Sequence, residues 1–251
     1  MPSKLEIERK IEELLNVFYR RRINTLNDLQ LMKALRKKNP YLFRAIGTEK
    51  ASEIVENMLL AFMSSSDEGI FGDAFFEPLA LFVSGGEPAP SSGVDIVLQD
   101  EKRYRAVAVK SGTSVYNSQS KKKQELDFNT LRNRMFKLQK IFDPVIGYAY
   151  GRKTQRQGTS AAIRELAGQE FWHEISGDPD FYLKIISMMK DLPSKHAIEY
   201  KEAWDHAVNR FTRDFTEEFC DKNGVIIWEK VVEFNSSSTT PTRKKKPKRV
   251  S

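Results

Sequence analysis

Apolar residues recur at three- and four-residue intervals through the first sixty positions. Leu5, Ile7, Ile11, Leu14, Leu15 and Phe18 form one set, and Leu26, Leu29, Met32 and Leu35 form another. This spacing predicts helix over residues 3–63. Pro40 interrupts the pattern, which resumes at Ile54, Val55, Met58, Leu59 and Phe62 and ends at Ser64, Ser65 and Ser66. Gly69 and Gly72 then open a short helix in which Phe75, Phe76, Leu79 and Leu81 surround Glu77. Residues 84–93, rich in Gly, Pro and Ser, read as a loop.

The texture then changes. Residues 94–98 and 104–109 are short runs rich in β-branched residues, separated by Asp100, Glu101, Lys102 and Arg103. They predict a strand hairpin. Residues 117–142 carry a helical stripe of Phe128, Leu131, Met135, Leu138 and Phe142, with Asn117 or Ser118 as N-cap. Residues 144–151 predict a further strand, polar residues follow over 152–160, and the chain to about 233 is mostly helical. The order of helices, hairpin, helix, strand and helices implies an α/β fold: a mixed sheet with helical additions at both ends.

Composition narrows the class. The 251 residues are 40% apolar and 30% charged, as in a globular protein. No apolar run reaches the roughly 18–20 residues of a membrane helix, and Met1 to Glu6 lacks a signal peptide's apolar stretch, so a cytoplasmic location is expected. Cys220 is the only cysteine and His173, His196 and His206 the only histidines, which excludes an internal disulfide and disfavours a His/Cys metal cage. Of the formal net charge of +7, six positive charges belong to Arg243, Lys244, Lys245, Lys246, Lys248 and Arg249. The body is therefore near neutral. Residues 236–251, rich in Ser, Thr and Pro ahead of those cations, are expected to be a disordered basic tail able to attract phosphate backbones.

The hairpin carries the chemistry. With its turn centred between Glu101 and Lys102, paired positions sum to 203, which sets Asp95 opposite Ala108. Alternation then puts Ala106, Ala108 and Lys110 on the face of Asp95, with Lys110 its diagonal neighbour. Small alanines beside the pair leave room for a ligand to approach. A carboxylate suits Mg²⁺ shared with phosphate oxygens, and an adjacent ammonium suits orientation of water or stabilisation of phosphoryl charge. An Asp–Lys pair on a surface strand has the same spacing.

The string Gly93-Val94-Asp95-Ile96 followed by Ala108-Val109-Lys110-Ser111-Gly112 resembles the PD-(D/E)XK nuclease superfamily, specifically its type II restriction endonucleases. The resemblance runs over residues 40–230. It takes in Phe71-Gly72 with Glu77, Asn117-Ser118-Gln119, the strand ending in Gly151, and Gly168 to Trp172, and it is to enzymes cutting interrupted GG…CC palindromes. It implies a restriction-endonuclease-like sheet core over 69–175, between helical regions at 1–68 and 176–235. It also implies Mg²⁺-dependent hydrolysis of double-stranded DNA by metal-activated water in a bacterial homodimer, paired functionally with a DNA methyltransferase. Asp95 matches the metal-binding Asp and Lys110 the catalytic Lys, and the Val109 carbonyl is a further implied ligand. Where the superfamily has Glu or Asp at position 108, this chain has Ala. Some members take the missing acid from a neighbouring helix, and Glu77 is the first candidate here, Glu56 the second. Without such an acid the chain would be an inactive DNA-binding protein on the same fold. A helical interaction protein with a basic tail is the reading from another class.

For DNA contact, Ser111, Thr113, Asn117 and Gln119 lie at the start of the helix that follows the hairpin, where amides and dipole favour phosphate. Lys121, Lys122 and Lys123 lie early in the same helix. Arg152, Lys153, Gln155, Arg156 and Gln157 supply side chains able to read base edges. Solvated polar positions would look the same. There is neither an HNH-type His/Asn pairing nor a GxxxxGK[ST] loop.

Overall fold

The computed structural model describes residues 2–153 and 163–238. Ten helices run in chain order among these residues: α1 (Lys4–Asp28), α2 (Leu31–Leu35), α3 (Pro40–Ala45), α4 (Ala51–Phe71), α5 (Glu77–Ser84), α6 (Ser118–Lys137), α7 (Gln169–Ser176), α8 (Phe181–Met189), α9 (Leu192–Phe219) and α10 (Trp228–Ser236). The strands are β1 (Glu87–Pro88), β2 (Ile96–Gln99), β3 (Arg103–Lys110), β4 (Ile141–Tyr148) and β5 (Arg164–Ala167). They form one mixed sheet in the order β1-β2-β3-β4-β5, antiparallel through β3 and parallel from β3 to β5. This is the restriction-endonuclease-like α/β architecture. No helix among the described residues is long and apolar enough to cross a membrane.

The chain divides into two compact units. The first comprises Met1–Arg22 and Asp67–Ile198, the second Ile23–Ser66 and the residues from Glu199 onward. The first holds the sheet, and alternation along β3 separates its two apolar layers. Val107 and Val109 join Ile96, Val145 and Leu166 beneath α1, α5, α7 and α8, through Ile11, Leu79, Phe171 and Phe181. Ala106 and Ala108 face the other way, with Ile146 and Tyr148, against Phe128, Leu131 and Met135 of α6. Gly147 lies flat under the Phe171 ring, where a Cβ would overlap it. Across one end of the sheet, Arg105 and Arg164 each bond Asp143 and Glu174 and tie β3, β4, β5 and α7 together.

In the second unit, Val55, Met58 and Leu59 pack with Leu26, Leu35, Phe211, Phe215 and Phe219. There Asn235 Nδ2 donates to the carbonyls of Leu35 and Lys38 at 3.0 and 2.9 Å.

Several boundaries differ from the sequence expectation. α4 continues through Ser64, Ser65 and Ser66 to Phe71. Pro40 starts a helix rather than only breaking one, because its missing N–H costs nothing at N1 and Asn39 caps Leu42. Phe142 belongs to β4, since α6 ends at Lys137. The loop at 84–93 contains β1, and β5 occupies a stretch read as mostly helical.

Candidate active site

The hairpin register is the one that the turn implies, with Ile96 opposite Val107 and Gln99 opposite Tyr104. One step beyond the ladder, the Asp95 amide donates to the Val107 carbonyl at 2.9 Å. The Val109 amide donates to Asp95 Oδ2 at 2.6 Å, which fixes the carboxylate at the C-terminal end of β3. Lys110 Nζ lies 2.9 Å from the Val109 carbonyl oxygen and 3.5 Å from Asp95 Oδ2. An ammonium thus sits against two oxygens at this strand end.

Glu77 is brought to this site by an irregular helix. α4 runs directly into a π-helical turn, Gly72–Phe76, and that turn into α5. The Glu77 amide donates to the Gly72 carbonyl, five residues back. Pro78 supplies the cause: it has no N–H, and its ring cannot pass the carbonyl of Ala74 in a regular helix, so the helix widens there. Gly72 lies on Ser111 so closely that a Cβ would meet the serine hydroxyl. The Glu77 carboxyl is half-buried and pushed above the usual carboxylate range, first by burial, then by the charges of Asp95 and Asp73, with Lys110 opposing. Glu77, Asp95 and Lys110 therefore share one electrostatic site. Glu56 is exposed on α4 in the other unit.

The alanines beside the pair do not leave the open approach expected from their size. Ala106 and Ala108 are fully buried under α6. Access to Asp95 and Lys110 is from the strand end, where both remain part-exposed.

Asp95 and the Val109 carbonyl, with Glu77 within electrostatic reach, offer only oxygen donors, the kind that suits Mg²⁺, which is often bound by one or two carboxylates and keeps waters or phosphate oxygens elsewhere. No group of three His, Cys, Asp or Glu side chains placed to hold a metal occurs among the described residues.

The residues expected to touch DNA fall into three sets. Ser111 and Thr113 follow Lys110 directly and are part-exposed, Thr113 lying against Gly151. Asn117 caps α6, its Oδ1 accepting from Ser120 N at 2.8 Å and its amide donating to Ser120 Oγ at 3.0 Å, and Gln119 is exposed in the first turn. Arg152 is exposed, and Lys153 pairs with Glu165 at 2.6 Å. Gln155, Arg156 and Gln157 lie outside the described residues, as does the tail from 239 on.

Sequence reasoning missed Glu165 altogether. It sits on β5, and Lys121 and Tyr148 also donate to it, at 2.8 and 2.9 Å. Burial works to raise its carboxyl, but Lys121, Lys153 and Tyr148 outweigh that and hold it at about 2. Nothing local marks this acid, because its partners lie 44, 12 and 17 positions away.

Comparison with known proteins gives one family. The family model of the type II restriction endonuclease EcoO109I matches residues 5–197, more than half of the chain. No curated protein matches.

Proposed function

This chain belongs to the family of the type II restriction endonuclease EcoO109I, and on that premise we propose that it cuts double-stranded DNA at a specific site in a Mg²⁺-dependent hydrolysis. The observation that carries this reading is the cluster of Asp95, Lys110 and the Val109 carbonyl at one strand end, with Glu77 within electrostatic reach of Asp95 and Lys110. Asp95, Glu77 and Val109 would hold the ion. When bound, Mg²⁺ supplies charge neutralisation at phosphoryl oxygens and lowers the pKa of bound water.

The protein's own groups do the rest. Lys110, released from the Val109 carbonyl, donates to a non-bridging oxygen or orients the attacking water as charge builds on the phosphoryl group. Glu77 stands in for the acid absent at position 108 and aims its carboxylate from the helix instead of the strand. Ser111, Thr113, Asn117, Gln119, Arg152 and Lys153, with Gln155 and Arg156, contact the duplex. The resemblance to enzymes of interrupted GG…CC palindromes extends the reading to a palindromic site. Such a site is matched by a two-fold homodimer, and a DNA methyltransferase protecting the same sequence would be its functional partner.

Plasmid digestion with and without Mg²⁺ tests the reading. Discrete fragments formed only with the ion, their ends mapping to one sequence, are expected. Specific binding without cleavage would leave an inactive DNA-binding protein on this fold.

A further inference from the structure

One carboxylate seldom needs two lysines. Glu165 has them, together with a tyrosine hydroxyl, and the three donors come from three places: Lys121 in the first turn of α6, Tyr148 at the end of β4 and Lys153 just beyond it. Lys121 reaches Oε1, while Lys153 and Tyr148 reach Oε2, so both oxygens are held. Two cations on one acid leave a local surplus of one positive charge. Lys121 and Lys153 are 41% and 31% exposed, so a ligand can reach both.

The cluster shares the end of the sheet with the active site. Lys110 pairs with Tyr148, and Tyr148 with Ala167, two residues past Glu165. Tyr116, whose hydroxyl donates to Gln124 at 2.9 Å, feels the charges of both Asp95 and Glu165. A DNA strand lying across Asp95 would therefore run close to Lys121 and Lys153.

We propose that Lys121, Lys153 and Tyr148 form a seat for a backbone phosphodiester, and that Glu165 occupies it in the free protein as an internal stand-in for that anion. A phosphodiester resembles a carboxylate in the features that matter here: one negative charge shared by two oxygens, offered to the same fork of donors. Lysine ammoniums on long stems can turn from one anion to the other, which a rigid guanidinium pair would do less readily. Glu165 keeps the two lysines together and screens them from stray anions, at the cost of competing with DNA.

This inference rests on the family-level reading that duplex DNA is the ligand, and not on the catalytic roles proposed for Asp95, Glu77 and Lys110. It is tested by the anisotropy of a labelled non-cognate duplex, without divalent ions, over a range of salt. Lys121→Gln and Lys153→Gln should each weaken binding and make the slope of log K against log salt shallower by about 0.9. Glu165→Gln should tighten binding roughly two- to fivefold, the scale of a part-exposed ion pair, with no loss of slope. Weaker binding by Glu165→Gln would mark the cluster as purely structural and overturn the stand-in, and the lysine slopes decide whether tightening is more than a lost repulsion. Unchanged slopes in both lysine variants would overturn the seat, even if Glu165→Gln fails to fold. Equal displacement of wild type and lysine variants by inorganic phosphate would overturn it too. Failure of the catalytic assignment would appear only in the plasmid assay and leave these slopes untouched.

Discussion

The Val109 amide donates to Asp95 Oδ2 at 2.6 Å, so the carboxylate at the head of the site also closes the end of the β2–β3 ladder. Two losses are therefore bundled in Asp95→Ala: the charge, and the acceptor of a part-buried amide. Cleavage should vanish in both Asp95→Asn and Asp95→Ala. Only the alanine variant should also lose about 1–3 kcal/mol of stability, from the orphaned amide. Denaturant melts with plasmid digestion separate the two effects, and wild-type turnover by Asp95→Asn would dismiss Asp95 from the chemistry.

Lys110 Nζ rests on the Val109 carbonyl and near Asp95, on oxygens proposed as ligands of the ion. Replacing it with Met keeps the apolar stem and removes the competitor. Cleavage should fall by roughly 10²-fold or more, the scale of removing one transition-state donor. Mg²⁺ affinity, followed by calorimetric titration, should rise. Weaker Mg²⁺ binding by Lys110→Met would mean that the ammonium does not occupy the ion's oxygens.

Glu77 carries a pH signature. Its carboxyl is raised by burial first and by Asp95 and Asp73 next, so the folded protein binds more protons than the unfolded chain just above the ordinary carboxylate range. Stability therefore falls as pH rises through that window, and the penalty is fully present above the folded-state value. Glu77→Gln should melt higher than wild type near pH 8 without divalent ions, and the gap should close towards about pH 4. Its cleavage should drop by orders of magnitude, and Mg²⁺ should raise its melting temperature less than the wild type's. Normal cleavage in Glu77→Gln with loss in Glu56→Gln would move the second acid to Glu56.

Gly147 lies against the face of Phe171, with no room for a Cβ. Gly147→Ala should cost about 1–3 kcal/mol by overpacking, and Phe171→Leu in the same chain should recover part of it. A thermal shift assay reads both.

Deleting residues 239–251 removes six cations and no acid. For each phosphate that the shortened chain no longer neutralises, the salt slope of non-specific binding should flatten by about 0.9. The sites cut in a plasmid should not change. A slope equal to the full chain's would show that the tail does not touch DNA.

The hairpin and its register were legible because β-branched runs flank a charged turn and side chains alternate with period two. The start of α6 was legible to within one residue, Asn117 or Ser118, and Asn117 is the cap because Asn and Ser three residues apart close a capping box there. β5 was not, as Arg-Glu-Leu-Ala contains no β-branched residue and is a strand only because β4 pairs with it. Periodicity assigned Ala106 and Ala108 to the face of Asp95 but did not say that α6 covers it. The closeness of Asp95 and Lys110 could be read from spacing, while the roles expected of them came from the resemblance. Glu77 required a widened helix whose one local signal is Pro78, and Glu165 required partners brought in by the tertiary fold.

The π-helical turn at Gly72–Phe76 has a consequence for how this site can change. The turn absorbs one residue more than a regular helical turn holds, so a regular α-helix over the same residues would rotate Glu77 by about 100° and carry Leu79 and Val83 out of the core with it. The aim of Glu77 thus depends on what keeps the turn wide and seated, which is Pro78 and the close approach of Gly72 to Ser111. The proposed second acid is held by two residues that carry no chemistry themselves, and it is to their replacement that it is vulnerable.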